Sequence, residues 1–187
     1  MEDIKELVRS LLSELDLNTL TSVAIIEHIA SNMYERDYTK LREKEVFIQL
    51  PIVLQDILLI LDFDIELQMN GIIGFIENST GNYFEETIQT LFRIGATDDF
   101  EIINNIKRLL ISNGITPIRL RENVNESSLY QVTYSSDIHG DDLAEVLNEI
   151  SSQADYLYLY RDNDNIFDNL FHYLDVNKVG LIRYLGQ

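Results

Sequence analysis

Apolar residues recur every three or four positions through most of this 187-residue sequence. The first segment shows the pattern in its simplest form, as the series Ile4, Leu7, Val8, Leu11, Leu12 and Leu15. This spacing places the side chains on one face of an α-helix, whereas a half-buried strand needs strict alternation. The period returns after Asn18 and Thr19, which could cap a second helix. The sequence therefore predicts a mainly α protein, a multi-helix, bundle-like single domain.

A third long helix is predicted after Pro51, over a stretch that runs from Ile52 to Leu67 and is apolar on all sides. Such a helix belongs in the core of a protein rather than on its surface. Residues 70–82 are rich in Gly, Asn and Ser, which is typical of turns. We therefore expect the third helix to end before these residues.

Two shorter helices are predicted after the turns. The first begins at a pattern like a capping box, formed by Asn82 and Glu85, and ends at Gly95. The second begins with Asp98 as its cap and has Glu101 three residues later. In both patterns, a side chain before the helix would accept a hydrogen bond from a backbone N–H of its first turn.

Residues 115–136 interrupt the helical period. Residues 129–134 alternate apolar and polar side chains, which is typical of a strand. A short β-hairpin around 116–134, with its first strand near 116–121, is one interpretation, and a structured loop is the other.

The C-terminal third of the chain returns to the helical period, with a last long helix predicted from about Asn163 or Asp164. Residues 156–160 alternate in a way that fits either a strand or a continuing helix. We expect one domain over residues 1–187, with any boundary between lobes at 114–128.

The charge of the chain excludes several classes of partner. It carries 32 acidic and 14 basic side chains, a net charge of −18, so nucleic acid and anionic membranes repel it. Residues 51–100 hold nine acids and a single base, Arg93. We expect the partner to be a basic protein, although acidity could also serve solubility alone. The candidate contact residues are the carboxylates of Asp56, Asp62, Asp64, Glu66, Glu77, Glu85, Glu86, Asp98, Asp99 and Glu101.

Motifs for catalysis or metal binding are missing from the sequence. No cysteine is present, which excludes disulfides, thiolate zinc sites and cysteine nucleophiles. The three histidines lack metal-binding spacing, and there is no phosphate-binding glycine loop. We predict a non-enzymatic protein with no catalytic residue, no metal and no cofactor; an enzyme with a carboxylate site is a remaining alternative. No signal peptide or membrane span is evident, so we expect a cytoplasmic location.

A family resemblance is carried by residues 66–81. This stretch is similar to the signature Glu-x-x-Asn-Gly-Gly-Phe-x-x-Tyr-x-x-Asn-Ser-x-Gly, and Ile94-Gly95-Ala96 resembles the helix ending that follows it. The chain thus resembles the bacterial DNA-mimic protein family and the larger domain family of unknown function to which that belongs. Asn70 stands at a glycine of the signature and could adopt the same left-handed backbone. The matched residues, which we interpret as structural, are Glu66, Gly71, Phe75, Asn78, Ser79, Gly81 and Gly95.

The resemblance implies a function as well as a fold. A DNA mimic of this family is acidic and mainly helical, and occupies the DNA-binding surface of a transcription factor. By that likeness, the partner is a DNA-binding protein, with no binding of nucleic acid or membrane. The alternative is an immunity protein that neutralises a basic nuclease toxin. The apolar Ile72-Ile73 pair and the tyrosine-rich segments could supply the face of a homodimer.

Overall fold

A computed structural model describes residues 2–13, 16–126, 138–162 and 165–186. Within these ranges the regular structure is helical throughout, which confirms the mainly α prediction. None of these helices combines the length and apolar character needed to cross a membrane. The α-helices are α1 (Glu2–Leu11), α2 (Ser22–Asn32), α3 (Lys44–Phe47), α4 (Ile52–Glu77), α5 (Phe84–Ile94), α6 (Thr97–Ser112), α7 (Pro117–Glu126), α8 (Asp141–Ala154) and α9 (Ile166–Leu185).

The chain divides into two compact units. Residues 1–61 and 167–187 form the first unit, and residues 62–166 form the second, so the division falls inside α4. The stretch 114–128, where sequence suggested a lobe boundary, lies within the second unit. The single domain over the whole chain stays a prediction.

The first unit buries the apolar faces that the sequence indicates. Val8, Leu11 and Leu12 of the α1 series are fully or almost fully buried, while Leu15 lies outside the described residues. Helix α2 begins later than expected, because its cap is Thr21 rather than Asn18 or Thr19. The Ala24 N–H donates to Thr21 Oγ1 at 3.2 Å, which satisfies one of the N–H groups that a helix start leaves without a partner.

The second unit is built around aromatic side chains. The Phe63 and Phe75 rings meet edge to face, with their centroids 4.9 Å apart. Helix α5 contacts α6, which in turn contacts α8. Gly95 ends α5 in a left-handed conformation, with φ 82°, so the predicted helix end is confirmed.

The two predicted capping patterns are wrong. Helix α5 has Tyr83 at its cap position and α6 has Ala96, and neither side chain accepts a hydrogen bond there. Asn82 instead accepts from the Arg121 side chain, 39 residues away along the chain. Asp98 lies inside the first turn of α6, where a negative charge favours the positive end of the helix dipole.

The predicted first strand of the hairpin is also wrong, because α7 occupies those residues. Thr116 Oγ1 accepts a hydrogen bond from the Arg119 N–H at 3.1 Å, and Pro117 takes the first helical position. Both features favour a helix start. The second strand, at 129–134, and the helix start at residues 163–164 lie outside the described residues. The alternating tyrosines at Tyr158–Tyr160 form a 3-10 turn rather than a strand.

Candidate functional site

Helix α4 is broken at Gly71, inside the matched motif. Gly71 has φ 67° and ψ −174°, a conformation open in practice to glycine alone. Residues 70–82, where the sequence predicts turns, contain this break and most of the 3-10 turn at Ser79–Tyr83, but the helix continues between them to Glu77. The left-handed backbone expected at Asn70 is wrong, because no described residue other than glycine has positive φ.

Glu66 forms a side-chain hydrogen bond across this break. One carboxylate oxygen, Oε2, accepts hydrogen bonds from Asn70 Nδ2 and Asn78 Nδ2, each at 2.8 Å. Gly81 is enclosed, because a Cβ there would lie 1.9 Å from the Ile76 carbonyl oxygen. Phe75 is buried, and Ser79 begins the 3-10 turn that follows α4. These contacts support a structural role for the motif.

Helix α7 and His139 hold the end of α4. The Arg121 guanidinium donates to the carbonyl oxygens of Glu77, at 3.2 Å, and Asn78. His139 Nε2 lies 2.8 Å from Glu77 Oε2, and its ring is almost fully buried. Burial raises the pKa of Glu77, while the bond to His139 and its charge act in the opposite direction. Sequence reasoning missed Arg121, which belongs to no recognisable pattern, and considered His139 only as a histidine without metal-binding spacing.

Three of the ten candidate contact carboxylates are buried. Asp56 is 0% exposed and accepts a hydrogen bond from the Tyr173 hydroxyl at 2.6 Å, within the first unit. Asp99 is 2% exposed and accepts from the Tyr158 N–H at 2.8 Å and from the Arg161 guanidinium at 3.0 Å. Asp62 is 7% exposed. These side chains have almost no surface to offer a protein partner.

Three further candidates are half-buried and bound within the second unit. Glu66 and Glu77 make the contacts described above. Asp64 accepts a hydrogen bond from the Tyr158 hydroxyl at 2.5 Å and one from Gln68 Nε2 at 2.8 Å. Burial and the bond to Asp64 raise the pKa of Tyr158, so this hydroxyl stays protonated and donates. Their internal contacts make these three groups stabilising elements of the fold.

The remaining four candidates are exposed and lie on two neighbouring helices. Glu85 and Glu86 occupy the first turn of α5, and Asp98 and Glu101 lie near the start of α6. Glu85 forms an ion pair with Lys107, at 2.5 Å. The structure therefore keeps four of the ten candidates accessible to a partner.

Sequence reasoning missed a row of carboxylates on α8. Asp141, Glu145 and Glu149 are all exposed and follow one another at four-residue intervals, which places them on one helix face. Exposed Asp155 comes directly after the helix end. The spacing is visible in the sequence, but counting charge by segment, rather than by helix face, hides it.

The acidity of the chain is concentrated in the second unit. Residues 62–166 contain 19 acidic and 6 basic side chains, a net charge of −13 out of the −18 of the chain. In the described part of this unit, eleven acidic side chains are exposed, against the exposed basic side chains of Arg93, Arg108 and Arg119 only. No group of three metal-binding side chains occurs among the described residues. The exposed carboxylates therefore give this part of the chain a strongly negative surface.

Comparison with known proteins assigns the family. A family model described as DMP19-like protein matches residues 48–177, which include α4 to α8 and the first part of α9. No curated protein matched the chain, and no solved structure did. The matched region is about seven tenths of the sequence and contains both the glycine-broken helix and the acidic helices, and the chain therefore belongs to the family of DMP19-like proteins.

Proposed function

We propose that this protein binds, through the exposed carboxylates of its second unit, to the basic surface of a DNA-binding protein and competes there with DNA. The proposal rests above all on the charge of that unit, whose described part exposes eleven carboxylates and only three basic side chains. Membership of the DMP19-like family agrees with the proposal. The protein acts by occupying a surface and carries out no reaction.

The geometry of α8 supports charge mimicry. Four residues rise about 6 Å along a helix, so Asp141, Glu145 and Glu149 present one negative charge per turn along a line. One strand of duplex DNA presents a charge about every 3.4 Å of its axis. The row therefore has roughly half the linear charge density of one DNA strand. Exposed carboxylates on α5 and α6 add to the negative field of the same unit.

Electrostatic attraction of this kind has a measurable signature. It accelerates association with a basic partner, and it weakens as salt shortens the screening length to about 10 Å near 0.1 M. A competitor with the same charge, such as duplex DNA, should displace the protein. Both effects distinguish a charged docking surface from acidity that serves solubility alone.

The test is capture of partners from the native lysate by three forms of the full chain. The first is the natural sequence, and the second carries the reversals Glu86→Lys, Asp98→Lys and Glu101→Lys on exposed positions of the second unit. The third, a matched control, carries the same net change in charge on exposed positions of the first unit, through Glu27→Lys, Glu35→Lys and Asp37→Lys.

We expect the natural chain and the control to capture a basic DNA-binding protein, identified by mass spectrometry, and the second form to lose it. Capture should fall with salt and be competed by the DNA that the partner binds. Equal capture by all three forms, or capture that resists excess DNA, would refute the proposal. Capture of a nuclease toxin instead would indicate an immunity protein.

A further inference from the structure

A groove of about 140 Å³ lies beside the break in α4, within the second unit. Its walls come from Asn70 to Ile73 of α4, and from Ser151, Ala154, Asp155 and Tyr160 at the end of α8 and just beyond it. This volume corresponds to roughly five water molecules at ~30 Å³ each. It is large enough for a planar polar group with its adjoining methylenes.

The polar atoms of the groove are mainly hydrogen-bond acceptors. Asn70 donates one Nδ2 hydrogen to Glu66, which fixes the amide, and its Oδ1 can accept a hydrogen bond. The Ser151 hydroxyl donates to the Leu147 carbonyl oxygen, so its own oxygen can accept. The carboxylate of Asp155 is exposed and has no hydrogen bond or ion pair with the described part of the chain. A ligand that fits must therefore donate hydrogen bonds and carry positive charge.

The remaining walls are apolar and aromatic. Ile72, Ile73 and Ala154 line the groove together with Tyr160, a residue that is 54% exposed. A strongly hydrated ammonium group gains little against such walls. A guanidinium is weakly hydrated, stacks on aromatic rings and pairs with a carboxylate through two parallel hydrogen bonds. The composition of the groove thus selects arginine over lysine.

The nearby positive charge of Arg161 does not oppose such a ligand strongly. Its guanidinium donates to Asp99, at 3.0 Å, and to the Tyr156 carbonyl oxygen, at 3.1 Å, so a buried carboxylate balances it. The exposed carboxylates of Asp141, Glu145 and Glu149 lie on the helix that leads to Asp155. Although they lie on a different face of this helix from Ser151, they add negative charge to the unit that a cation approaches.

We propose that this groove binds one arginine side chain of the basic partner, with its guanidinium on the Asp155 carboxylate and its plane against the Tyr160 ring. The inference rests on the proposed function and adds an anchoring point to it. Charge attraction alone would bind arginine and lysine equally well, whereas this groove favours arginine.

The test is an NMR titration of the 187-residue chain with two peptides of equal length and charge, one of alternating Gly and Arg and one of alternating Gly and Lys. We expect the arginine peptide to bind about tenfold more tightly. It should shift the backbone amide signals of Gly71, Ile73 and Tyr160. Equal affinity of the two peptides, or shifts confined to other helices, would overturn the proposal.

Variants separate the groove from the general charge of the unit. Asp155→Asn should abolish the preference for arginine, whereas Glu149→Gln, which removes one exposed charge outside the groove, should weaken both peptides equally. Tyr160→Ala should reduce arginine binding, and Tyr160→Phe should retain it. If Asp155→Asn and Glu149→Gln behave alike, the anchor does not exist. If free arginine binds as tightly as the peptide, the groove is a small-molecule site and the proposal is wrong.

Capture of the protein partner distinguishes failure of this inference from failure of the proposed function. If Asp155→Asn and Tyr160→Ala keep full capture while the Glu86, Asp98 and Glu101 reversals lose it, only the arginine anchor is refuted. If those reversals also keep full capture, the charged docking surface itself is refuted.

Discussion

The break in α4 allows a direct test, because Gly71 can be replaced without any collision. A Cβ at this position meets no atom within 4 Å, so Gly71→Ala adds no steric contact. What it adds is backbone strain, since φ 67° with ψ −174° is a conformation that alanine strongly disfavours. The variant therefore isolates the conformational requirement of the break from packing effects.

The size of the effect follows from that strain. Holding a residue other than glycine in this region costs about 1–3 kcal/mol. Because alanine favours a straight helix, relief of the strain would separate Glu66 from Asn78, whose hydrogen bond crosses the break. For a protein of this size, 1 kcal/mol lowers Tm by about 2–4 °C. We expect Gly71→Ala to lower Tm by roughly 2–12 °C.

Gly180 in α9 provides the matched control. It is exposed and helical, and a Cβ there also meets nothing within 4 Å. Gly180→Ala should raise stability by about 0.5–1 kcal/mol, because alanine loses less conformational freedom in a helix. The same chemical change thus has opposite expected signs at two positions. Thermal unfolding followed by circular dichroism measures the Tm of both variants, and urea unfolding measures their free energies of unfolding. A Gly71→Ala variant as stable as the natural chain would refute the reasoning.

Three further variants test other contacts of the second unit by urea unfolding. Gly81→Ala places a Cβ 1.9 Å from the Ile76 carbonyl oxygen, and should cost at least about 1–3 kcal/mol; no loss would contradict the enclosed position. Because burial raises the pKa of Glu77 above 4.5, the folded state holds its proton more tightly, and the unfolding free energy should fall as pH rises above 4.5. Glu77→Gln should flatten that dependence, and identical pH profiles would exclude the effect. Tyr158→Phe removes the hydroxyl that donates to Asp64 and should cost about 1.5–3 kcal/mol, while an unchanged midpoint would show that this bond contributes nothing.

Local chemistry made part of the fold predictable. Gly95 could be identified as a helix end because the residue after a helix often adopts a left-handed conformation, which glycine favours. This preference depends only on neighbouring atoms of the same segment. The same logic should have identified α7, whose Thr116-Pro117 start is a local signal too. There, the alternation at 129–134 favours a strand pair, and the helix start at Thr116-Pro117 contradicts it.

The buried carboxylates could not be predicted in the same way. Asp99 is buried because Tyr158 and Arg161 reach it from 59 and 62 residues away, and Asp56 because Tyr173 lies 117 residues further along the chain. Such partners are brought together only by tertiary packing, and nothing in the neighbouring sequence indicates them. The acidic face of α8, by contrast, follows from spacing alone and could have been predicted.

Asp56 and Asp99 are buried, so the acidic residues of this chain are under two kinds of evolutionary constraint. One preserves the fold, and the other preserves binding of a partner. Substitution at these positions would disturb folding, so relatives should retain them whatever they bind. Glu86, Glu101 and Glu145 are exposed and could change without cost to the fold. Divergence in partner choice within the family should therefore be concentrated at surface positions of this kind. Ranking relatives by isoelectric point would count buried and exposed acidic residues together. Comparing only the acidic residues on the exposed helix faces would follow binding specificity.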